Sequence, residues 1–365
     1  MSQELVPARV SSPGRILTRE LEARGWTQKD FAEIIGRPPQ AISEIVRGIK
    51  QITPETALEF AEAFGTSPQF WMNLEANYRL FLAGEKKDDK EITRRSALYN
   101  LAPIAELLRL GWIRPANSPG ELEREVCSFL EIPSPEQKPR LQASLRHGKS
   151  REPERNSLIC WVKRVEHLAK EQKRISFDRA RLERAIPTIL GHAAETEDIR
   201  EVPRLLRDLG VHFLIVPHLS GTYLDGGVSY IQNRPIVALS LRYDRIDSFW
   251  FTLMHELAHV VAGHRGVYLD NFDERDGNEK EAKADQIARD WLIETDAYER
   301  FVSQSGPYFS RTKIVQFAHQ QRRHPGIVLG RLQNDGRVGY NNLRGLLERV
   351  RPYVQDQIDV PIEAS

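Results

Sequence analysis

Residues His255-Glu256-Leu257-Ala258-His259 set two imidazoles four positions apart, with a carboxylate directly after the first. They sit in an apolar run from Phe249 to Ala262 that contains no proline, and the first glycine after it is Gly263. Such a run predicts a helix. On a helix, residues four apart share a face, so His255 and His259 can offer two nitrogens to one metal ion. Glu256 is turned about 100° from His255, close enough to touch water at the metal without ligating the metal itself. The chemistry these residue types suit is metal-assisted hydrolysis, with Glu256 as the base.

A catalytic zinc site needs a third protein ligand and an open fourth position. Downstream, Ala284, Ile287, Ala288, Trp291 and Leu292 recur at helical spacing, which predicts a second amphipathic helix over 279–293. Glu281 lies one turn before Asp285, on the same face. Glu281 is therefore the candidate carboxylate ligand. Asp285 is the candidate acceptor for the free ring N–H of a ligand histidine, a contact that fixes tautomer and orientation. Glu279 competes for the ligand role, though its neighbour one turn on is Lys283, which fits less well. His264 follows His259 by five residues, one too few for the three-histidine pattern, which has its third histidine six after the second. Gly263 reads as the cap of the motif helix and His264 as a residue that favours its C-terminus.

These segments resemble the ImmA/IrrE family of metallopeptidases. The matching residues are His255-Glu256-Leu257-Ala258-His259, then Glu281, Ala284-Asp285, Ile287-Ala288 and Trp291-Leu292-Ile293. The resemblance implies a zincin-like α+β domain, one zinc ion per chain, and Glu281 as its third ligand. Asp285 stands where the family often has Asn, and Glu294 where it has Pro; neither departure touches the ligands. The strand-like Pro235 to Leu241 before the motif helix is expected at a sheet edge, where it could hold an extended substrate by main-chain pairing. An oxyanion stabiliser is also expected, with Tyr230, Tyr223, His218 and His324 as candidates left open.

Residues 13–83 carry a different pattern. Short apolar helices are punctuated by Gly25, Gly36, Gly48 and Gly65, and Thr53-Pro54 and Ser67-Pro68 each read as an N-cap followed by proline in the first turn. Thr27 and Asp30 form a capping-box pair. The stretches Gly25 to Ala32, Gln40 to Gly48, Ile52 to Leu58 and Gly65 to Tyr78 resemble the XRE (lambda-repressor-like) helix-turn-helix family, and within it the HigA-type antitoxins. In such a domain the third helix enters the major groove. Gln40 can then read adenine, Ser43 is adaptable, and Glu44 can accept from cytosine. Gln28, Arg47 and Lys50 are placed to hold phosphates. Pro38-Pro39 departs from the family, which usually has a Ser or Thr cap and a polar residue there. Residues 1–83 hold nine Lys/Arg against ten Asp/Glu, so affinity must come from local contacts and dimerisation rather than from a strong field.

The remaining composition sets bounds. A chain of 365 residues with 40% apolar residues, 28% charged residues and a net charge of +1 is expected to form two or three ordinary domains. Two cysteines, Cys127 and Cys160, give neither a disulfide framework nor a Cys-rich zinc site. No apolar run approaches membrane-span length, and no secretory signal pattern opens the chain, so a cytoplasmic protein is expected. A charged linker begins near Gly84, followed by a helical region with Leu98, Leu101, Ile104, Leu107 and Leu108 at core spacing. Residues 133–153 read as a Pro-rich surface loop. Residues 140–184 hold thirteen Lys/Arg against six Asp/Glu, read first as a solvated helical face and second as an auxiliary nucleic-acid surface.

The expected architecture is mixed: an all-α helix-turn-helix domain over 1–83, a helical linker region over 84–176, and an α+β zincin-like metallopeptidase domain over 177–365. The expected function is that of a homodimeric regulator that binds double-stranded operator DNA. The resemblance adds zinc-dependent cleavage of a protein substrate, a repressor or a toxin–antitoxin component. The alternative is an antitoxin-like repressor without proteolysis, its metal domain a sensor or a structural module.

Overall fold

The computed structural model describes residues 11–85, 91–137, 139, 152–173, 175–264, 268–270 and 279–359. Most of the Pro-rich stretch 133–153 and the charged residues 86–90 therefore lie outside the described residues. The chain divides into two compact units, Met1–Ile92 and Thr93–Ser365. Among the described residues, no helix is long and apolar enough to cross a membrane.

The first unit is a bundle of five helices: α1 (Pro13–Arg24), α2 (Gln28–Ile34), α3 (Pro39–Val46), α4 (Pro54–Phe64) and α5 (Pro68–Glu85). Local chemistry sets their ends. Thr27 and Asp30 form the expected capping box on α2, and Thr53 caps α4 through the Thr56 N–H. Gly36, at φ +65°, turns the chain between α2 and α3 where a side chain would be strained. The core is aromatic: Phe31, Phe60, Phe64 and Trp71 pack with ring centroids 4.6–6.2 Å apart, and the buried Trp71 donates its Nε1–H to Thr66 Oγ1 at 2.8 Å. A Cβ on Gly14 would lie 2.1 Å from the Val46 carbonyl oxygen, so glycine is what lets α1 close onto the end of α3. This is the helix-turn-helix arrangement the spacing predicts.

The second unit is rich in helix around one small sheet. It opens with α6 (Glu91–Leu101), α7 (Ile104–Arg109), α8 (Pro119–Leu130) and α9 (Glu152–Glu171), then α10 (Arg179–Leu190) and α11 (Val202–Asp208). Strands β1 (His212–Ile215), β2 (Gly226–Ile231) and β3 (Arg234–Leu239) precede the long helix α12 (Ile246–Val261). Then come β4 (Tyr268–Asp270), α13 (Glu279–Leu292), α14 (Thr295–Ser305), α15 (Arg311–Gln321) and α16 (Pro325–Asn334).

The strand order is β1-β3-β2-β4, with β1 parallel to β3 and the other pairs antiparallel. The strand expected at an edge is thus interior. β3 pairs on both sides, His212 with Ile236 and Val228 with Val237. The reason is visible in its composition: Ile236-Val237-Ala238-Leu239 is apolar on both faces, and such a strand is stable only when covered on both. The edge strand next to β2 is β4, which the sequence does not predict.

The sheet separates two cores. On one face α10, α12, α13, α15 and α16 bury Val228, Val237 and Leu239 against Trp250, Leu253 and Leu257. On the other, the helices between 91 and 171 bury Leu214, Ile236 and Ala238 against Leu107, Trp161 and Val165. Trp161 donates its Nε1–H to the Val216 carbonyl at 3.1 Å, and Arg164 holds Asp359 at 2.6 Å. The segment expected as a linker therefore supplies half of the sheet's cover. The basic residues of 140–184 that are described include the buried Lys163, neutralised by Glu131 and Glu166 at 3.0 Å each.

Candidate functional site

Helix α12 forms because nothing in Ile246–Val261 opposes it and one broad face is apolar. It ends as anticipated at Gly263, φ +73°, with the Gly263 N–H bonded to Val260 and the His264 N–H to His259. The helix is buried almost all round: His255 is 2% exposed, and Glu256 and His259 are 0% exposed. α13 runs antiparallel beside it, bringing Glu281 to both histidines.

The three candidate ligand atoms converge. His255 Nε2 lies 3.1 Å from His259 Nε2, and Glu281 Oε2 lies 3.2 Å from the first and 3.1 Å from the second. Ligands at about 2.0–2.2 Å around a tetrahedral zinc ion stand roughly 3.4 Å apart, so this spacing suits a shared ion. Three electron-rich atoms facing one another, two of them on buried rings, also need a cation or a shared proton between them. The donor set, two imidazoles and a carboxylate, fits zinc. Burial works against ionising Glu281, but the hydrogen bonds and charge of His255 and His259 outweigh it and hold its carboxyl far below the usual range.

The outer contacts orient the rings. Asp285 Oδ1 lies 2.9 Å from His255 Nδ1, leaving Nε2 to face the cluster. His259 Nδ1 lies 2.9 Å from His264 Nδ1. The sequence predicts His264 only as a helix-end residue, whereas its ring also backs His259. Burial, then the neighbouring His259, lowers the His264 pKa and favours the neutral ring. No motif signalled this contact, because it depends on the turn at Gly263. Glu279 is exposed and takes no place among the cluster atoms.

Glu256 occupies a slot beside the first residue of β2. A Cβ at Gly226 would lie 2.7 Å from Glu256 Oε1 and 2.6 Å from Thr252 Cγ2. The sequence reading missed Gly226; the Gly226-Gly227 pair inside a strand is the signal that could have found it. Of the candidate oxyanion groups, His324 caps α16 through the Gly326 N–H and lies 3.4 Å from Glu348, so it is committed elsewhere. Tyr223 lies under the Arg242 guanidinium at 5.1 Å from the ring centroid. His218 is partly buried, and Tyr230 packs half-buried at the rim of the core.

In the first unit, Gln40, Ser43, Glu44 and Arg47 line the outer face of α3, opposite the buried Ala41, Ile42 and Ile45. Gln40 Nε2 donates to Glu44 Oε1 at 2.9 Å, and Arg47 Nε to the Ser43 carbonyl at 3.3 Å. Gln28 begins α2 and Lys50 is exposed just beyond α3. Pro38 stands at the N-cap of α3 with no side-chain hydrogen bond, as its chemistry dictates.

Comparison with known proteins divides the chain along the same line. Residues 17–71 match the helix-turn-helix family model, and residues 246–333 match that of Peptidase U49. Virulence-associated protein I of Dichelobacter nodosus is 36% identical over 81 residues, 22% of this chain and 75% of that protein. The HTH-type transcriptional regulator YddM of Escherichia coli (strain K12) is 29% identical over 82 residues, 22% of this chain and 87% of its own length. Among solved structures, an addiction module antidote protein of the HigA family from Coxiella burnetii shares 35% identity over 21% of this chain and 86% of that one, with a TM-score of 0.21. The second unit matches the Peptidase U49 model over residues 246–333, and through its first unit the chain belongs to the XRE-type helix-turn-helix family.

Proposed function

We propose that this protein is a DNA-binding regulator whose second unit is a zinc-dependent endopeptidase of the ImmA/IrrE kind, with a zincin-like fold. The observation that carries the reading is the convergence of His255 Nε2, His259 Nε2 and Glu281 Oε2 to within 3.1–3.2 Å of one another. A carboxylate without a place in that triad, Glu256, is buried next to it on the same helix. A structural metal site has no need of such a base.

His255, His259 and Glu281 would hold the ion, and Asp285 and His264 would fix the two rings. When bound, zinc supplies Lewis acidity, polarising a scissile carbonyl and lowering the pKa of water from ~15.7 towards ~7. Glu256 takes the proton from the attacking water and delivers it to the leaving amine. Gly226 leaves room for that carboxylate, and burial keeps bulk water away from it. In the first unit, Gln40, Ser43 and Glu44 face base edges while Gln28, Arg47 and Lys50 hold phosphates, on a dimer in the cytoplasm. Joining the two units in one chain couples operator binding to cleavage of a repressor or of a toxin–antitoxin component.

The test is elemental analysis of purified wild type beside Glu256→Gln and His255→Ala. Near one zinc per chain in the first two, with loss in the third, is the expected result. Absence of metal from the wild type after dialysis against zinc would overturn the peptidase reading and leave a DNA-binding, antitoxin-like protein.

A further inference from the structure

A cavity of about 440 Å³ opens between α12, α13 and α16. From α12 it is lined by Ser248, Phe251 and Thr252, one to two turns before His255 on the same face. From α13 it is lined by Arg289 and Leu292, one to two turns after Asp285. Thr252 belongs to both places. It lines the cavity and also packs at Gly226, where Glu256 sits. The cavity is thus the next compartment along the two helices that carry the candidate ligands, roughly 5–11 Å from them at 1.5 Å per residue. An extended peptide covers that span in about one to three residues.

The charges in its wall do not balance. Arg245 is satisfied by Asp247, which takes both Nε at 3.0 Å and Nη2 at 2.5 Å. Asp225 faces Arg242 at 3.7 Å. Arg289 Nη2 donates to Asn334 Oδ1 at 2.9 Å and Arg331 Nη1 to the Arg289 carbonyl at 3.2 Å, both neutral acceptors. The one carboxylate the two arginines share is Asp335, at 3.9 and 3.7 Å. Those separations exceed a hydrogen bond, and Asp335 already accepts the Tyr298 O–H at 2.7 Å. Two guanidinium groups, 22% and 13% exposed, therefore stand against one distant and otherwise engaged anion. Beside them the wall is apolar, Phe251 and Leu292.

We propose that this cavity is a specificity subsite that receives an acidic side chain, Glu or Asp, of the polypeptide held at the triad. The proposal rests on the peptidase reading for its occupant. The methylene stem of a glutamate packs on Phe251 and Leu292, and its carboxylate supplies the close anion that Arg289 and Arg331, bonded to neutral acceptors, do not have.

Binding tests this without turnover. The full chain carrying Glu256→Gln, loaded with zinc, is titrated calorimetrically with acetylated, amidated pentapeptides of Ala with Glu, Gln, Leu or Lys at the centre. The Glu peptide is expected to bind at least about tenfold tighter than the Gln or Lys peptide, the scale of a charge-assisted contact. Adding Arg289→Gln is expected to bring the Glu and Gln peptides within twofold of each other. Ser248→Phe, which fills the cavity without altering its charge, is expected to abolish the preference as well. Equal affinities across the series, a preference that survives both variants, or no binding of any peptide each overturns the subsite. Cleavage by the zinc-loaded wild type is scored separately. Acid-selective binding without cleavage would retain the cavity as an acid-recognition site and reject the peptidase reading.

Discussion

Gly226 lacks a side chain at the point where Glu256 needs room: a Cβ there would stand 2.7 Å from Glu256 Oε1 and 2.6 Å from Thr252 Cγ2. The glycine is not required by the backbone, because its φ is not in the left-handed region. It is required by the carboxylate. Alanine must push Glu256 or Thr252 aside inside a close-packed wall, and overpacking of that kind costs about 1–3 kcal/mol. Gly226→Ala is expected to lower the melting temperature modestly and to bind zinc as the wild type does. Peptide cleavage should fall by more than the stability loss explains. Unchanged cleavage in a folded variant would show that Glu256 does not depend on this slot.

Much of the site was legible because its chemistry is local. His255, Glu256 and His259 lie on one helix, and Glu281 and Asp285 on another, so helical periodicity alone placed each pair on one face. The helix-turn-helix unit was legible for the same reason: Thr27, Thr53, Gly36 and Gly65 punctuate their own neighbours. What sequence did not reveal is non-local. The pairing of β3 between β1 and β2 sets β1 beside a strand that follows β2 in the chain, and the edge strand β4 comes only after the long helix α12. The share of residues 91–171 in the sheet's second core likewise rests on contacts such as Trp161 with Val216, 55 positions apart. His264 escaped because one left-handed turn at Gly263 decides where its ring goes.

Asp285 offers a direct probe of ring orientation. Its Oδ1 at 2.9 Å from His255 Nδ1 fixes which nitrogen faces the cluster. Removing an outer carboxylate of this kind weakens metal binding by about 10–100-fold. Asp285→Ala is therefore expected to keep the fold but lose zinc to a chelator of intermediate affinity that the wild type resists. Asp285→Asn should fall between the two, since an amide oxygen still accepts the ring N–H. Equal retention by all three proteins would reduce Asp285 to a surface charge.

Glu131 predicts an acid-dependent contribution to stability. It stands just past α8 at φ +54°, facing Lys163 and Lys170. The Lys170 contact first, then Lys163, hold its carboxyl down at about 2 against an ordinary 4.5, although partial burial works the other way. The folded pKa lies below the unfolded one, so the stabilisation is complete above 4.5 and fades as the pH falls from 4.5 towards 2. The group is 42% exposed, so the effect is modest. Wild type should melt above Glu131→Gln at pH 7, and the gap should narrow when both are melted at pH 4 and below. A gap independent of pH would mean that the glutamine disturbs the turn rather than the charge.

Arg47 and Gln40 divide the DNA-binding reading into two measurable parts. Both project from the outer face of α3, but Gln40 is near its first turn, where base edges are read, and Arg47 follows its last. The unit as a whole is not basic, so few phosphate contacts are available and each one weighs heavily. Arg47→Ala is expected to weaken binding about equally on all sequences and to reduce the slope of log K against log salt by about 1. Gln40→Ala is expected to cost about 1–3 kcal/mol on the preferred operator and much less on an unrelated duplex, leaving the salt slope unchanged. Fluorescence anisotropy titrations of the chain's own promoter region at several salt concentrations measure both. If Gln40→Ala weakened every duplex alike, α3 would not be reading bases, and the first unit would be a platform for protein partners instead.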